Sequence, residues 1–197
     1  MTRCVDFLFD YGSPAAYLAW TQLPRLAADT GAQVVMKPIL LGGVFQSTGN
    51  RAPITVPAKG SYLFKDLNRY AKAYGVPLVM NPHFPINTIT LMRIDVALTL
   101  RGDPRLDAYR AAVFKAVWAG QKNMGDPASA ATVLAPAGFS ADELVALASD
   151  PLVKETLKTW TQEAVDRGVF GAPTFFVGDE MFWGQDRLDF VRSALTH

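Results

Sequence analysis

Six residues rich in apolar and aromatic side chains, Cys4 to Phe9, run straight into Asp10-Tyr11-Gly12-Ser13-Pro14. Such a segment reads as a buried strand entering a tight turn. Ser13 and Pro14 then read as the N-cap and first residue of a helix, since a serine oxygen accepts an orphan backbone N–H and proline's fixed φ suits the first turn. That helix is expected to reach about Asp29, with Tyr17, Trp20, Leu23 and Leu26 on one side, and Pro24 is expected to kink or split it. After Thr30 and Gly31, the segment Gln33 to Leu41 reads as a second strand. A strand, a helix and a strand within about 40 residues make a right-handed parallel crossover unit.

The following stretch changes character. Gly42, Gly43, Gly49, Asn50, Pro53 and Pro57 read as a loop, and a helical pattern follows from about Ser61 to Tyr74. Pro85 to Leu100 and Pro104 to Ala119 carry apolar residues at helical spacing. Asp126 with Pro127 repeats the cap and proline arrangement, and Ser140 with Glu143 has the spacing of a capping box. Another helix is expected from Pro151 to Arg167, stopped by Gly168. From Gly171 the pattern returns to strands at Pro173 to Val177 and Glu180 to Trp183, turned at Gly178 and Asp179, and a helix from Asp186 to Leu195 ends the series. The order is that of an α/β thioredoxin-like plan with an all-helical insertion. Residues 1–41 and 168–197 would form the two halves of the thioredoxin-like domain, and 42–167 a mainly helical insertion with its connecting helix.

Composition narrows the partners. In 197 residues, 19 Lys and Arg stand against 18 Asp and Glu, with no basic run to track a phosphate backbone, so nucleic acid is not an expected partner. Half of the residues are hydrophobic, enough for a packed core, yet no stretch approaches the ~18 apolar residues of a membrane span. The segment Met1 to Phe9 lacks a signal peptide's uncharged run. A single cysteine, Cys4, excludes an internal disulfide, a CxxC pair and a cysteine-based zinc site. The expectation is a cytoplasmic protein with no metal and no membrane partner.

Three short segments carry candidate chemistry. Read alone, Ser13 is a cap. On this plan, however, the first strand-to-helix turn presents free N–H donors and a positive dipole end to an anion. A serine hydroxyl needs a base to act as a nucleophile, and the two histidines, His83 and His197, suggest no triad. Donation of a hydrogen bond to a bound thiolate is a better use. A free thiol of pKa ~8.5 is only about 3% ionised at pH 7, and lowering that pKa by two units takes ~2.7 kcal/mol. A charge-assisted hydrogen bond of ~1.5 to 3 kcal/mol with a helix-terminus contribution of ~0.3 to 2 is of that size. The thiol would come from outside the chain.

Gly171-Ala172-Pro173 is either the plain start of a strand or a cis X–Pro bond that turns the Ala172 N–H and C=O outward to pair with an extended peptide. Glutathione is such a peptide. Gly184-Gln185-Asp186-Arg187 either merely opens a helix or offers Asp186 to an ammonium group and Gln185 and Arg187 to a carboxylate, both of which a γ-glutamyl moiety carries. Asn50 and Lys59 read as loop residues, and His83 and Asn87 as loop and capping residues.

Asp10-Tyr11-Gly12-Ser13-Pro14, Thr48-Gly49-Asn50-Arg51 with Pro57-Ala58-Lys59-Gly60, Phe170-Gly171-Ala172-Pro173-Thr174 and Phe182 to Asp189 together resemble the 2-hydroxychromene-2-carboxylate isomerases. That family is itself similar to kappa-class glutathione transferases and to the DsbA-type thioredoxin fold. The resemblance spans nearly the whole chain. It implies a glutathione-dependent isomerase acting on a small aromatic carboxylate, with Ser13 at the glutathione sulfur. Ala172 and Pro173 would pair with the tripeptide backbone, Asn50 and Lys59 lie at its glycyl side, and Gln185, Asp186 and Arg187 at its γ-glutamyl end. A homodimer is also implied. The chain departs from a common pattern in having Ala15 where many relatives carry an aromatic residue. A kappa-like transferase and a non-catalytic thioredoxin-like binding module are the alternatives.

Overall fold

The computed structural model describes residues 3–196; of the two histidines, His197 lies outside them. Four strands form one mixed sheet in the order β2-β1-β3-β4, where β1 is Cys4–Phe9, β2 Gln33–Pro38, β3 Thr174–Val177 and β4 Glu180–Trp183. β1 runs parallel to β2, in register from Cys4 with Gln33 to Phe9 with Pro38, and antiparallel to β3, with Phe7 opposite Phe175. β3 and β4 form the closing hairpin, with Thr174 opposite Trp183. This is the arrangement of a DsbA-like thioredoxin fold.

The central strand β1 is covered on both faces, as its side chains dictate. Val5, Phe7 and Phe9 enter the main core together with Phe175, while Leu8 enters a second cluster with Ile39, Val44, Ala164, Val169 and Phe176. On the same face as Leu8, Asp6 is not an orphan charge. Lys37 and Arg167 approach its carboxylate to 2.6 and 3.3 Å.

Helix α1, Pro14–Thr30, starts and stops where its caps dictate: the Ser13 side chain accepts from Ala16 N, and Gly31 closes the far end at φ +66°. Pro24 does not split it; the helix runs unbroken through that position. Helix α2, Leu41–Thr48, replaces the expected loop, and β2 accordingly stops at Pro38 rather than Leu41. Two glycines disfavour a helix by roughly 1 kcal/mol each, but tertiary contacts supply what propensity does not. Leu41 N–H donates to the Asp10 carboxylate at 2.8 Å, Leu40 N–H donates to Thr161 Oγ1 at 2.9 Å, and a Cβ on Gly43 would come within 3.2 Å of Thr161 Cγ2.

Helix α3, Pro57–Tyr74, begins a turn earlier than its apolar pattern implies, which moves Lys59 from a loop into the first helical turn. The helices α4 (Ile89–Arg101), α5 (Leu106–Trp118), α6 (Pro127–Leu134), α7 (Ala141–Ser149) and α8 (Pro151–Asp166) follow. α4 starts four residues later than Pro85, because Asn87 Oδ1 accepts from Ile89 N at 3.1 Å and fixes the start there. A 3₁₀ turn, Gln185–Arg187, precedes α9, Leu188–Thr196, where a single helix from Asp186 is expected. Among the described residues no single helix is long and apolar enough to cross a membrane.

Candidate active site

A cavity of about 420 Å³ opens where the β1–α1 turn, the start of α2, the 50–54 loop, the start of α3, the 171–173 segment and the turn after β4 converge. Ser13, Asn50, Lys59, Ala172, Pro173, Gln185, Asp186 and Arg187, scattered through the sequence, all line it. Apolar side chains of Leu41, Phe45, Phe64, Leu67 and Phe84 line it as well.

Ser13 sits at the amino end of α1, buried, with its hydroxyl bonded twice: it donates to the Ala172 carbonyl at 2.8 Å and accepts from Ala16 N at 3.1 Å. The Ala172–Pro173 bond is cis. The Ala172 carbonyl accepts from the Ser13 hydroxyl across the chain and keeps a second lone pair. Among the described residues no histidine lines the cavity, and the partners of the hydroxyl there, a carbonyl and a backbone N–H, are those of a hydrogen-bonding group rather than of an activated nucleophile. Turning its proton from Ala172 to a bound anion needs only rotation about one bond.

Asn50 has its side chain engaged on the protein. Its Nδ2 donates to the Phe170 carbonyl at 2.8 Å and its Oδ1 accepts from Arg51 N at 2.8 Å, so it fastens the 50–54 loop to the segment that leads to Ala172. Lys59 is exposed at the rim.

At the opposite wall, Gly184 adopts φ +107°, and a Cβ there would fall 2.5 Å from Asp186 Oδ1. Only glycine lets that carboxylate fold back over its own turn. Arg187 Nη1 donates to Asp186 Oδ2 at 2.5 Å, so the two charges that the sequence offers to an ammonium and a carboxylate are paired with each other. Tyr74 holds the turn from beneath, its hydroxyl donating to the Gln185 carbonyl at 3.1 Å. Burial, with the nearby Tyr70, Asp186 and Asp189, pushes the Tyr74 phenol up to about 12, and it stays a donor throughout the neutral range.

Three residues that shape the site were given no role in the sequence analysis. Tyr74 is one. Trp183 is another: its indole lines the cavity and packs tilted on Phe170 at 4.9 Å, and Gly171 makes room for it, since a Cβ on Gly171 would lie 2.7 Å from Nε1. The third is Asp10, buried behind Ser13, whose carboxylate accepts from Gly12 N at 2.8 Å, Thr88 Oγ1 at 2.7 Å and Leu41 N at 2.8 Å. Burial raises its pKa and these three bonds oppose the rise. Asp10 stands in the same run as Ser13, but its partners lie far along the chain.

His83 is exposed, and its N–H donates to Asn81 Oδ1 at 2.9 Å, away from the cavity. Among the described residues no group of three His, Cys, Asp or Glu side chains is placed to hold a metal ion. Cys4 is free and exposed at the start of β1.

Comparison with known proteins agrees with this architecture. The model of the DSBA-like thioredoxin domain matches residues 4–196. A 2-hydroxychromene-2-carboxylate isomerase of Sphingobium xenophagum is 34% identical over 197 residues, 99% of each chain. Glutathione S-transferase kappa 1 of Homo sapiens is 26% identical over 211 aligned positions, 99% of this chain and 92% of that one. The solved structure of a 2-hydroxychromene-2-carboxylate isomerase superposes with a TM-score of 0.84 at 34% identity, over 98% of this chain and 94% of that one. The chain belongs to the DSBA-like thioredoxin family, in its 2-hydroxychromene-2-carboxylate isomerase branch, and is an enzyme of the isomerase class.

Proposed function

We propose that this isomerase interconverts 2-hydroxychromene-2-carboxylate and trans-o-hydroxybenzylidenepyruvate, a step in the degradation of aromatic compounds, with glutathione as its cofactor. The observation that carries this reading is the buried Ser13 hydroxyl at the head of α1, facing a cavity with charged residues at Lys59, Asp186 and Arg187 and an apolar wall at Leu41, Phe45 and Phe84. The residues fit the tripeptide. Lys59 and Arg187 are cations for its two carboxylates, Asp186 is an anion for its ammonium group, and the backbone around Ala172 offers strand-like pairing.

Bound glutathione would supply the thiolate that adds reversibly to the conjugated double bond of the ring-opened substrate, allowing rotation there, and departs unchanged. Ser13 would turn its hydroxyl from Ala172 to the sulfur, and the amino end of α1 would add its dipole, so that the anion is favoured over the thiol. Asn50 would hold the loop that carries the glycyl side. The Asp186–Arg187 pair would open so that each charge meets its counterpart on the γ-glutamyl group. Leu41, Phe45 and Phe84 would exclude water from the aromatic substrate.

Conversion of the hydroxychromene carboxylate, followed optically with and without glutathione for wild type and Ser13→Ala while free thiol is titrated, tests the reading. The expected result is turnover that needs glutathione, leaves the thiol count constant and collapses in Ser13→Ala. The likeness to the kappa-class transferase favours a second reading, a transferase that forms stable conjugates; loss of free thiol during turnover would identify it. We also propose a cytoplasmic homodimer, and a monomer by light scattering at micromolar concentration would overturn the dimer.

A further inference from the structure

We infer that Asp10 is a positioning residue of this site, a buried carboxylate that fixes the Ser13 hydroxyl relative to the apolar wall on which the aromatic substrate lies. The inference rests on the proposed glutathione-dependent reading. Asp10 joins three segments, the β1–α1 turn, the start of α2 and the residue before α4. Its Oδ1 accepts from Gly12 N and from Thr88 Oγ1, and its Oδ2 from Leu41 N, at 2.8, 2.7 and 2.8 Å. Its own carbonyl accepts from Ser13 N at 3.0 Å. The carboxylate thus sets the turn that presents Ser13 and, through Leu41, the first turn of α2.

That first turn has no cap of its own: the N-cap residue is Leu40, which makes no side-chain bond to the helix. Asp10 takes the place of the cap from another element, putting negative charge at the amino end of α2 where the helix dipole favours it. Leu41 and Phe45 of α2 line the same cavity as Gly12 and Ser13. The packing is close, since a Cβ on Gly12 would stand 3.4 Å from both Asp10 Oδ1 and Thr88 Cγ2. Gly12 N and Leu41 N sit on different oxygens, so an amide cannot replace the carboxylate: Asn offers one oxygen, and its NH₂ would face an N–H donor.

The test compares wild type, Asp10→Asn and Thr88→Val in glutathione affinity, in turnover with the hydroxychromene carboxylate, and in the pKa of the bound thiol read from ultraviolet thiolate absorbance. In Asp10→Asn, glutathione affinity is expected to stay within about threefold, held by the remote charged end. Turnover is expected to fall about tenfold to a hundredfold, the loss that misplacement of about 1 Å produces, and the thiol pKa to rise. The sign of that last shift separates positioning from charge. Removing a buried negative group would by itself favour a neighbouring thiolate and lower its pKa.

An unchanged turnover, or a thiol pKa that falls, overturns the inference. If Asp10→Asn does not fold, Thr88→Val decides, because it deletes one of the three bonds and keeps the side-chain volume. It is expected to shift turnover and thiol pKa in the same direction by a smaller factor, and wild-type values would overturn the inference. Wild-type protein that binds no glutathione would overturn the functional reading first and this inference with it.

Discussion

The Ser13 hydroxyl donates to the carbonyl of Ala172, 159 residues away, at 2.8 Å. The same oxygen accepts from Ala16 N and caps α1. Substitution with Ala removes both bonds and leaves the Ala172 carbonyl without this donor. Loss of the cap is expected to lower stability by about 1 kcal/mol. Loss of a charge-assisted bond to a thiolate, about 1.5 to 3 kcal/mol, is expected to lower glutathione-dependent turnover by roughly ten- to a hundredfold. Thermal unfolding and turnover, measured on the same preparation, check the two parts separately. A turnover loss no larger than twofold would remove Ser13 from the chemistry and leave it a cap.

Gly171→Ala places a methyl group 2.7 Å from Trp183 Nε1. Trp183 is 47% exposed, so the indole can swing outward, and the expected cost to the fold is about 1 kcal/mol, at the low end for overpacking. The cavity wall moves with it. The variant is expected to bind glutathione several-fold more weakly and to show altered tryptophan emission. Unaltered affinity would show that Trp183 does not shape the bound state.

The first crossover unit and the closing hairpin were legible in the sequence because their signals are local. Ser13 and Pro14 mark a helix start within two residues, and Gly178 with Asp179 marks a hairpin turn. Ser13, Ala172, Pro173, Gln185, Asp186 and Arg187 were legible for the same reason, since each stands beside a strand or at the start of a helix, whereas Asn50 and Lys59 read as loop residues and were singled out only by the resemblance. What stayed hidden depends on partners distant in sequence. Gly42 and Gly43 read as loop residues, yet α2 forms because Thr161 meets Leu40, 121 residues away, and Asp10 meets Leu41, 31 away. The side chain of Asn50 looked free, but its amide reaches Phe170 across 120 residues. No local pattern links Asp10 to Thr88, 78 residues on.

Tyr74→Phe removes the hydroxyl that holds the Gln185 carbonyl and little else. A hydrogen bond of this kind contributes about 0.5 to 1.5 kcal/mol. Because Gln185 opens the turn carrying Asp186 and Arg187, that loss is expected in binding: the KM for glutathione rises about threefold while kcat holds. A fall in kcat at constant KM would place the effect of Tyr74 at the reacting end instead.

Arg110→Ala probes the deepest charge in the molecule. Asp95 is fully buried, and Arg110 grips it with Nε at 3.0 Å and Nη2 at 2.8 Å while Tyr11 OH donates to it at 2.5 Å. Tyr11 precedes Gly12 and Ser13 directly, and its own carbonyl accepts from Trp118 Nε1 at 2.8 Å, so this network stands immediately behind the β1–α1 turn that presents Ser13. Removing the guanidinium strands a carboxylate in the core, at an expected loss of about 3 to 5 kcal/mol. For a chain of this size that is a fall in Tm on the order of 10 °C. Replacing the whole group with apolar residues of similar volume, Asp95→Leu with Arg110→Met and Tyr11→Phe, is expected to recover most of the stability, because no buried charge is then left unpaired. Calorimetry of both variants measures this. A single variant that melts within 2 °C of wild type, by the same scale of about 2 to 4 °C per kcal/mol, would mean that water reaches Asp95 and that the turn does not depend on the pair.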